Sequence, residues 1–174
     1  MSRHVTLLIL GLTFVGGALL FAQAPKGEAA PASPPDRARL EQVLAAWESM
    51  DVSRAAAFYA KDPGLVFYDI APRKYNGWAA YEKGVRDMLK TVKSWTFRLN
   101  DDAQVHRAGT LAWAVATVDG DMVNKDGSRM KIDARWTTIW EKRGKTWIIV
   151  HDHFSMPLPE PPPKPTATSA GPKP

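Results

Sequence analysis

Residues 129–157, RMKIDARWTTIWEKRGKTWIIVHDHFSMP, constrain the fold of this chain more than any other stretch. Ile132, Ala134, Trp136, Thr138 and Trp140 alternate with Lys131, Asp133, Arg135, Thr137 and Ile139. That is the period of a strand with one apolar face. Residues 147–154 are β-branched and aromatic, as strands are, and Gly144 in the intervening KRGK supplies a turn. The pattern predicts a long antiparallel hairpin near the end of the chain, preceded by helices.

The helices precede it in order. From Asp36, Leu40, Val43, Leu44 and Trp47 recur at helical spacing, predicting a helix to about Met50. Asp51 can cap a second, short helix ending near Ala60. Asp62-Pro63-Gly64 breaks the chain, residues 65–70 read as a short strand, and residues 71–77 as a loop. A third helix is predicted over 78–92, with Trp78, Tyr81, Val85, Met88, Leu89 and Val92 along one side. Gly84 inside it lowers helix stability by about 1 kcal/mol and points to close packing. Beyond it, Trp95, Phe97 and Leu99 alternate, as do Leu111, Trp113, Val115 and Thr117, and Asp126-Gly127 marks a hairpin turn.

With 174 residues, 45% of them apolar and seven Trp, the chain is sized for one domain with a buried core. The absence of cysteine excludes disulfides, a thiol nucleophile and a thiolate metal site. The formal charge of +5 comes without a basic run, so no nucleic-acid partner is expected. Arg3 and His4 precede an uncharged run over 5–22, and Ala22-Gln23-Ala24 has the form of a signal-peptidase site. Residues 1–24 therefore read as a cleaved signal peptide or an uncleaved membrane anchor, and export is expected in both cases. Residues 25–35 form an Ala/Pro spacer, 36–157 the domain, and 158–174 a proline-rich tail expected to be disordered.

Helix, helix, short strand, helix and then antiparallel strands is an α+β layout. It resembles the cone-shaped NTF2-like superfamily and, within it, the SnoaL-like group. WTTIWEKRGKTWIIVHDHFS resembles the last hairpin of the association domain of calcium/calmodulin-dependent kinases. FYAKDPGLVFYD resembles the second helix and first strand of that domain and of ketosteroid isomerase. The resemblance, over 36–157, implies a curved antiparallel sheet with three N-terminal helices packed on its concave face. It also implies an apolar pocket between them and a homodimer through the convex face. On this alignment Val150, Asp152 and Phe154 point inward, and Trp147, Ile149, His151 and His153 outward.

The resemblance also singles out site residues. Asp69 matches the general-base aspartate of ketosteroid isomerase, and a carboxylate in an apolar pocket can move protons near neutral pH. A strand-end aspartate bonding backbone N–H groups or Arg73 is the bland alternative. Val43 and Trp136 stand where that enzyme has its oxyanion donors, so steroid isomerisation is not expected. Thr138 and Phe154 replace the pocket arginines of the kinase domain. What remains is an aromatic pocket, with Trp47, Tyr59, Tyr81, Trp136 and Phe154 as walls and Asp69, Asp152 and Thr138 as orienting groups. Asp152 joins Asp69 as a catalytic candidate, since the two could share a proton. A small apolar ligand, no cofactor and no metal are expected. His151 and His153 share a strand face, but a metal site there needs His106 or a carboxylate such as Asp133 as third ligand, and Ser155 lacks the surroundings of a nucleophile. Plain core filling of the cone is the structural alternative.

Overall fold

The computed structural model describes residues 33–158. The expectations for residues 1–24, for the spacer up to 32 and for the tail from 159 lie outside the described residues. Among the described residues no helix is long and apolar enough to cross a membrane.

Helix α1 (Arg37–Glu48) begins where Asp36 accepts a hydrogen bond from the Arg39 N–H at 2.8 Å, satisfying one of the free donors of the first turn. Its buried face is Leu40, Val43, Leu44, Ala46 and Trp47. Asp51 caps α2 (Val52–Ala56) in the same way through the Ser53 N–H. Helix α3 (Trp78–Leu89) ends earlier than its apolar pattern suggests, because Val92 already belongs to the next strand. A Cβ at Gly84 would run into the Tyr75 ring, so glycine here admits a buried tyrosine against the helix.

The strands are β1 (Val66–Tyr68), β2 (Tyr75–Asn76), β3 (Val92–Leu99), β4 (Gln104–Ala108), β5 (Leu111–Asn124), β6 (Arg129–Arg143) and β7 (Thr146–Ser155). They form one sheet in the order β2-β1-β7-β6-β5-β3, with β4 also on β5. The two-residue β2 lies inside the expected loop and is too short to leave a periodic signal. The expected hairpin is β6 and β7, turned at Gly144 with φ +59°. Pairing is antiparallel except between β1 and β7, which run parallel with Phe67 opposite Asp152. The helices lie on the concave face, as the resemblance implied.

Strand β6 has the expected parity: Ile132, Ala134, Trp136, Thr138 and Trp140 are all buried. The last strand corrects the alignment. Trp140 pairs with Ile149 and Ile139 with His151, leaving Val150 as an extra residue in a β-bulge. The bulge restores the same side to Ile149 and Asp152, so Trp147 and Ile149 are core rather than convex surface. Residues 58–60 dock on β7 at this point, through Ala60 N–H to the Ile149 carbonyl and Ile149 N–H to the Phe58 carbonyl, both 2.8 Å. The convex face instead exposes Leu111, Trp113, Val115 and Ile139.

Two variants check this register. Ile149 is 0% exposed and Ile139 36%. Ile149→Glu buries an unpaired carboxylate, and the expected cost of more than about 4 kcal/mol abolishes cooperative unfolding. Ile139→Glu is expected to keep cooperative unfolding, with a far smaller loss than Ile149→Glu, in urea denaturation. Equal tolerance of both would refute the bulge.

Candidate functional site

Parallel pairing of β1 with β7 builds the site. Phe67 of β1 pairs with Asp152 of β7, and Asp69 follows directly on the last residue of β1, which brings its carboxyl near that of Asp152. Both carboxyl groups line one cavity of about 340 Å³ between α1, α3 and the concave sheet. Its wall includes Trp47, Tyr81, Trp95, Trp136, Phe97 and Phe154. Ile70 and Ala71 border it beside Asp69, and Met88, Met122, Met130 and Ile132 line it from α3, β5 and β6.

Asp152 is 2% exposed, and each of its oxygens has a donor. The Tyr59 hydroxyl donates to one, and Trp136 Nε1–H donates to the other at 2.8 Å. Tyr59 in turn accepts from Trp47 Nε1–H at 3.0 Å. Burial raises the Asp152 carboxyl to about 6, against the opposing pull of the Tyr59 and Trp136 donors. Tyr59 is pushed well above the ordinary phenol range by its burial and by the Asp152 charge, so it remains a donor.

Asp69 has far less support. Its hydrogen bond is to the Ile70 N–H at 2.7 Å, and it makes no ion pair among the described residues, with Arg73 or otherwise. Burial raises it to about 7; the Ile70 N–H opposes this and the nearby Asp152 charge adds to it. A carboxyl so placed is divided between acid and base at neutral pH, the condition under which it can both take and return a proton.

Of the residues singled out in the sequence, Trp47, Asp69, Tyr81, Trp136, Asp152 and Phe154 reach the cavity wall. Tyr59 and Thr138 do not line it. Tyr59 lies behind Asp152 and holds it, and Thr138 is buried accepting from Trp140 Nε1–H at 2.8 Å. Met122, Met130 and Ile70 escaped the sequence reading, whereas Met88 lay on the predicted apolar side of the third helix. The alternation of β6 from Met130 to Trp140 held the signal for Met130, and the cross-strand pairing of Met130 with Met122 extends it. The Tyr81 hydroxyl, on the wall, has no hydrogen-bond partner among the described residues and is free to meet a ligand. His151 Nδ1 lies 2.7 Å from the Val66 carbonyl oxygen and His153 packs edge-on to Tyr68. Among the described residues no cluster of three or more His, Asp or Glu is set to hold a metal ion.

Raised carboxyls link the site to stability. A group whose folded pKa lies above its unfolded value favours the folded state fully below the unfolded pKa. That advantage is lost as pH rises through the folded value. For Asp69 and Asp152 the loss runs from about pH 4 to about pH 6–7. Asp69→Asn is expected to stabilise the protein by about 2 kcal/mol at pH 8 and by roughly nothing at pH 4. Urea denaturation at the two pH values measures this. A variant less stable than wild type at pH 8 would show that Asp69 is a structural anion.

The comparisons with known proteins agree with this architecture. Residues 37–159 match the family model described as the SnoaL-like domain. No curated protein sequence matches the chain. Among solved structures, an NTF2-like superfamily protein from Salmonella enterica serovar Typhimurium superposes with a TM-score of 0.63 at 22% identity, covering 72% of this chain and 90% of that one. A candidate dehydratase of the NTF2-like family from Streptomyces avermitilis gives 0.61 at 14%, covering 69% and 92%. A candidate calcium/calmodulin-dependent protein kinase type II association domain from Thiobacillus denitrificans gives 0.59 at 19%, covering 72% and 97%. At these identities the structures speak to the fold alone. The family match over most of the chain, on an α+β cone of this topology, shows that the protein belongs to the SnoaL-like family within the NTF2-like fold.

Proposed function

We propose that the protein binds one small, largely apolar molecule in the cone, oriented by Asp69 and Asp152. The observation that carries this reading is a 340 Å³ cavity whose wall is aromatic and aliphatic apart from two carboxyl groups and a tyrosine hydroxyl. Such a cavity excludes water from most of the ligand and fixes its orientation through few polar points. An interaction module with a cone filled by its own side chains fits this volume poorly.

A second reading has its own support. Asp69, near pKa 7 and without a cationic partner, suits proton transfer in an isomerase, dehydratase or small hydrolase of the same fold. The similar protein from Streptomyces avermitilis, described as a candidate dehydratase, accords with it. Native mass spectrometry of the purified protein, followed by extraction, identifies the bound molecule. Ile132→Trp, which fills the cavity, is expected to abolish its retention. Under the second reading, Asp69→Asn also removes turnover of that molecule by more than about 100-fold while binding persists. Equal retention by wild type and Ile132→Trp would overturn the binding reading.

The proposal extends to export and assembly. The charged start and apolar run of residues 3–22 support delivery out of the cytoplasm, with or without a retained anchor. The convex face, apolar at Trp113, Val115 and Ile139 but interrupted by Arg135 and Thr137, suits isologous pairing with a second copy. Protein recovered from the extracytoplasmic fraction of an expressing bacterium is expected to be a dimer by light scattering, and Ile139→Glu to be a folded monomer. A monomeric wild type, or a cytoplasmic product of intact-chain mass, would overturn the corresponding half.

A further inference from the structure

The polar end of the cavity carries negative groups with nothing to balance them. Asp69 and Asp152 are on its wall, and no lysine, arginine or histidine is. The ionisable groups facing Asp69 from the packed elements are Asp152 on β7, Tyr75 on β2, Tyr59 after α2 and Tyr81 on α3. Each of the three tyrosines is pushed up by burial first, with the Asp69 charge contributing. Arg73 and Lys74, in the loop that follows, are exposed and pair with neither carboxylate. Among the described residues the ion pairs lie on the surface, for example Arg86 with Glu82 and Arg143 with Asp62. A charge that the protein leaves unbalanced inside an apolar wall is a site for a counter-charge from outside.

The wall itself has the matching chemistry. Three indoles, Trp47, Trp95 and Trp136, surround the space with Tyr81, Phe97 and Phe154. Aromatic faces carry negative quadrupole potential and attract ammonium groups, most strongly where water is excluded. Two of the indole N–H groups are turned away from the ligand, Trp47 to Tyr59 and Trp136 to Asp152. The third, of Trp95, is spent on the Trp47 carbonyl at 2.7 Å. The indoles therefore offer rings rather than donors.

Resting on the small-molecule reading above, we infer that the ligand is an organic ammonium ion. It is a protonated or quaternary amine on an apolar body, seated among the aromatic rings with its charge against Asp69. A carboxylate ligand would meet two like charges and no donor pair to hold it. A neutral ligand would leave Asp69 to keep its proton. A cation satisfies the rings and the carboxylate together, which is a matter of selectivity more than of raw affinity.

Three probes with one body and different charge test this: 4-phenylbutylamine, 4-phenylbutan-1-ol and 4-phenylbutanoate. Binding to the full-length protein is followed by quenching of the cavity tryptophans. At pH 8 the amine is expected to bind about tenfold tighter than the alcohol, and the butanoate weakest of the three. With Asp69 raised to about 7, the preference is expected to be full at pH 8 and nearly gone at pH 5, where Asp69 is protonated. Asp69→Asn should bring the amine-to-alcohol ratio close to its pH 5 value. Ile70→Lys, at a partly exposed wall position beside Asp69, should move the preference toward the butanoate without disturbing the core. An alcohol that binds as tightly as the amine at pH 8, or a ratio unchanged in Asp69→Asn, overturns the inference and leaves the small-molecule reading standing. Failure of all three probes to bind overturns that reading and this inference with it.

Discussion

Asp152 stands where four parts of the chain meet, and their relative placement rests on its hydrogen bonds. Its own strand is β7; Trp136 reaches it from β6, and Tyr59 from the segment after α2. Trp47 extends the same chain of donors into α1. Removing an anion of this kind from water costs several kcal/mol, and the cost is offset only when its lone pairs are met. Here both oxygens are met, by the Tyr59 phenol and the Trp136 indole, and ring packing fixes the phenol. Tyr59 sits 4.9 Å centroid to centroid from Trp78, and Phe67 is stacked at 5.3 Å on Tyr81. A network so satisfied selects one arrangement of helices on the sheet, since any other leaves a buried carboxylate unpaired.

The same network separates the two acids. Both are pushed up by desolvation, but Asp152 has side-chain donors that favour its charged form and Asp69 has a single backbone N–H. Asp152 therefore ionises first, and its charge makes ionisation of Asp69 harder. The outcome is one structural carboxylate and one responsive one, made from identical side chains by unequal hydrogen bonding. The responsive group sits just past the end of a three-residue strand, and its cost in stability builds from about pH 4 to about pH 7.

How much of this was legible in the sequence differs from strand to strand. The inward face of β6 could be read from alternation because its outward residues are mostly polar or charged, Lys131, Asp133 and Arg135 among them. The same reading failed on β7, where Trp147, Ile148, Ile149 and Val150 are all apolar and no alternation exists to fix parity. Inserting Val150 as a bulge exchanged inside for outside at Trp147 and Ile149 while leaving Asp152 and Phe154 where the alignment set them. Asp69 was legible through its place at the end of the first strand. The role of Tyr59 was not, because nothing local distinguishes a tyrosine that lines a cavity from one that anchors the carboxylate behind it. Strand β2 left no signal because two residues are too few to show a period, and Met122 became visible only through its pairing with Met130.

Where the chain puts its bulk explains why the cone stays open at one end. On β5 and β6 the large and small residues are complementary, with Trp140 opposite Ala112 and Trp136 opposite Ala116. Trp140, Trp147 and Ile149 pack that end solid, at 0%, 4% and 0% exposure. Further along the same pair of strands the bulk falls away to Ala134, Gly120 and the facing methionines Met122 and Met130. A side chain at Gly120 would strike the Thr96 carbonyl oxygen of β3, so the sheet closes up there through backbone and not through side chains. Unbranched thioethers line the cavity where β5 and β6 approach their turn, and they repack around guests of different outline more readily than β-branched residues do. The Trp136 indole holds Asp152 at one part of the cavity, and adaptable methionines line the other. For the small-molecule binding proposed above, selectivity resides at the charged end of the cavity and tolerance at the apolar one.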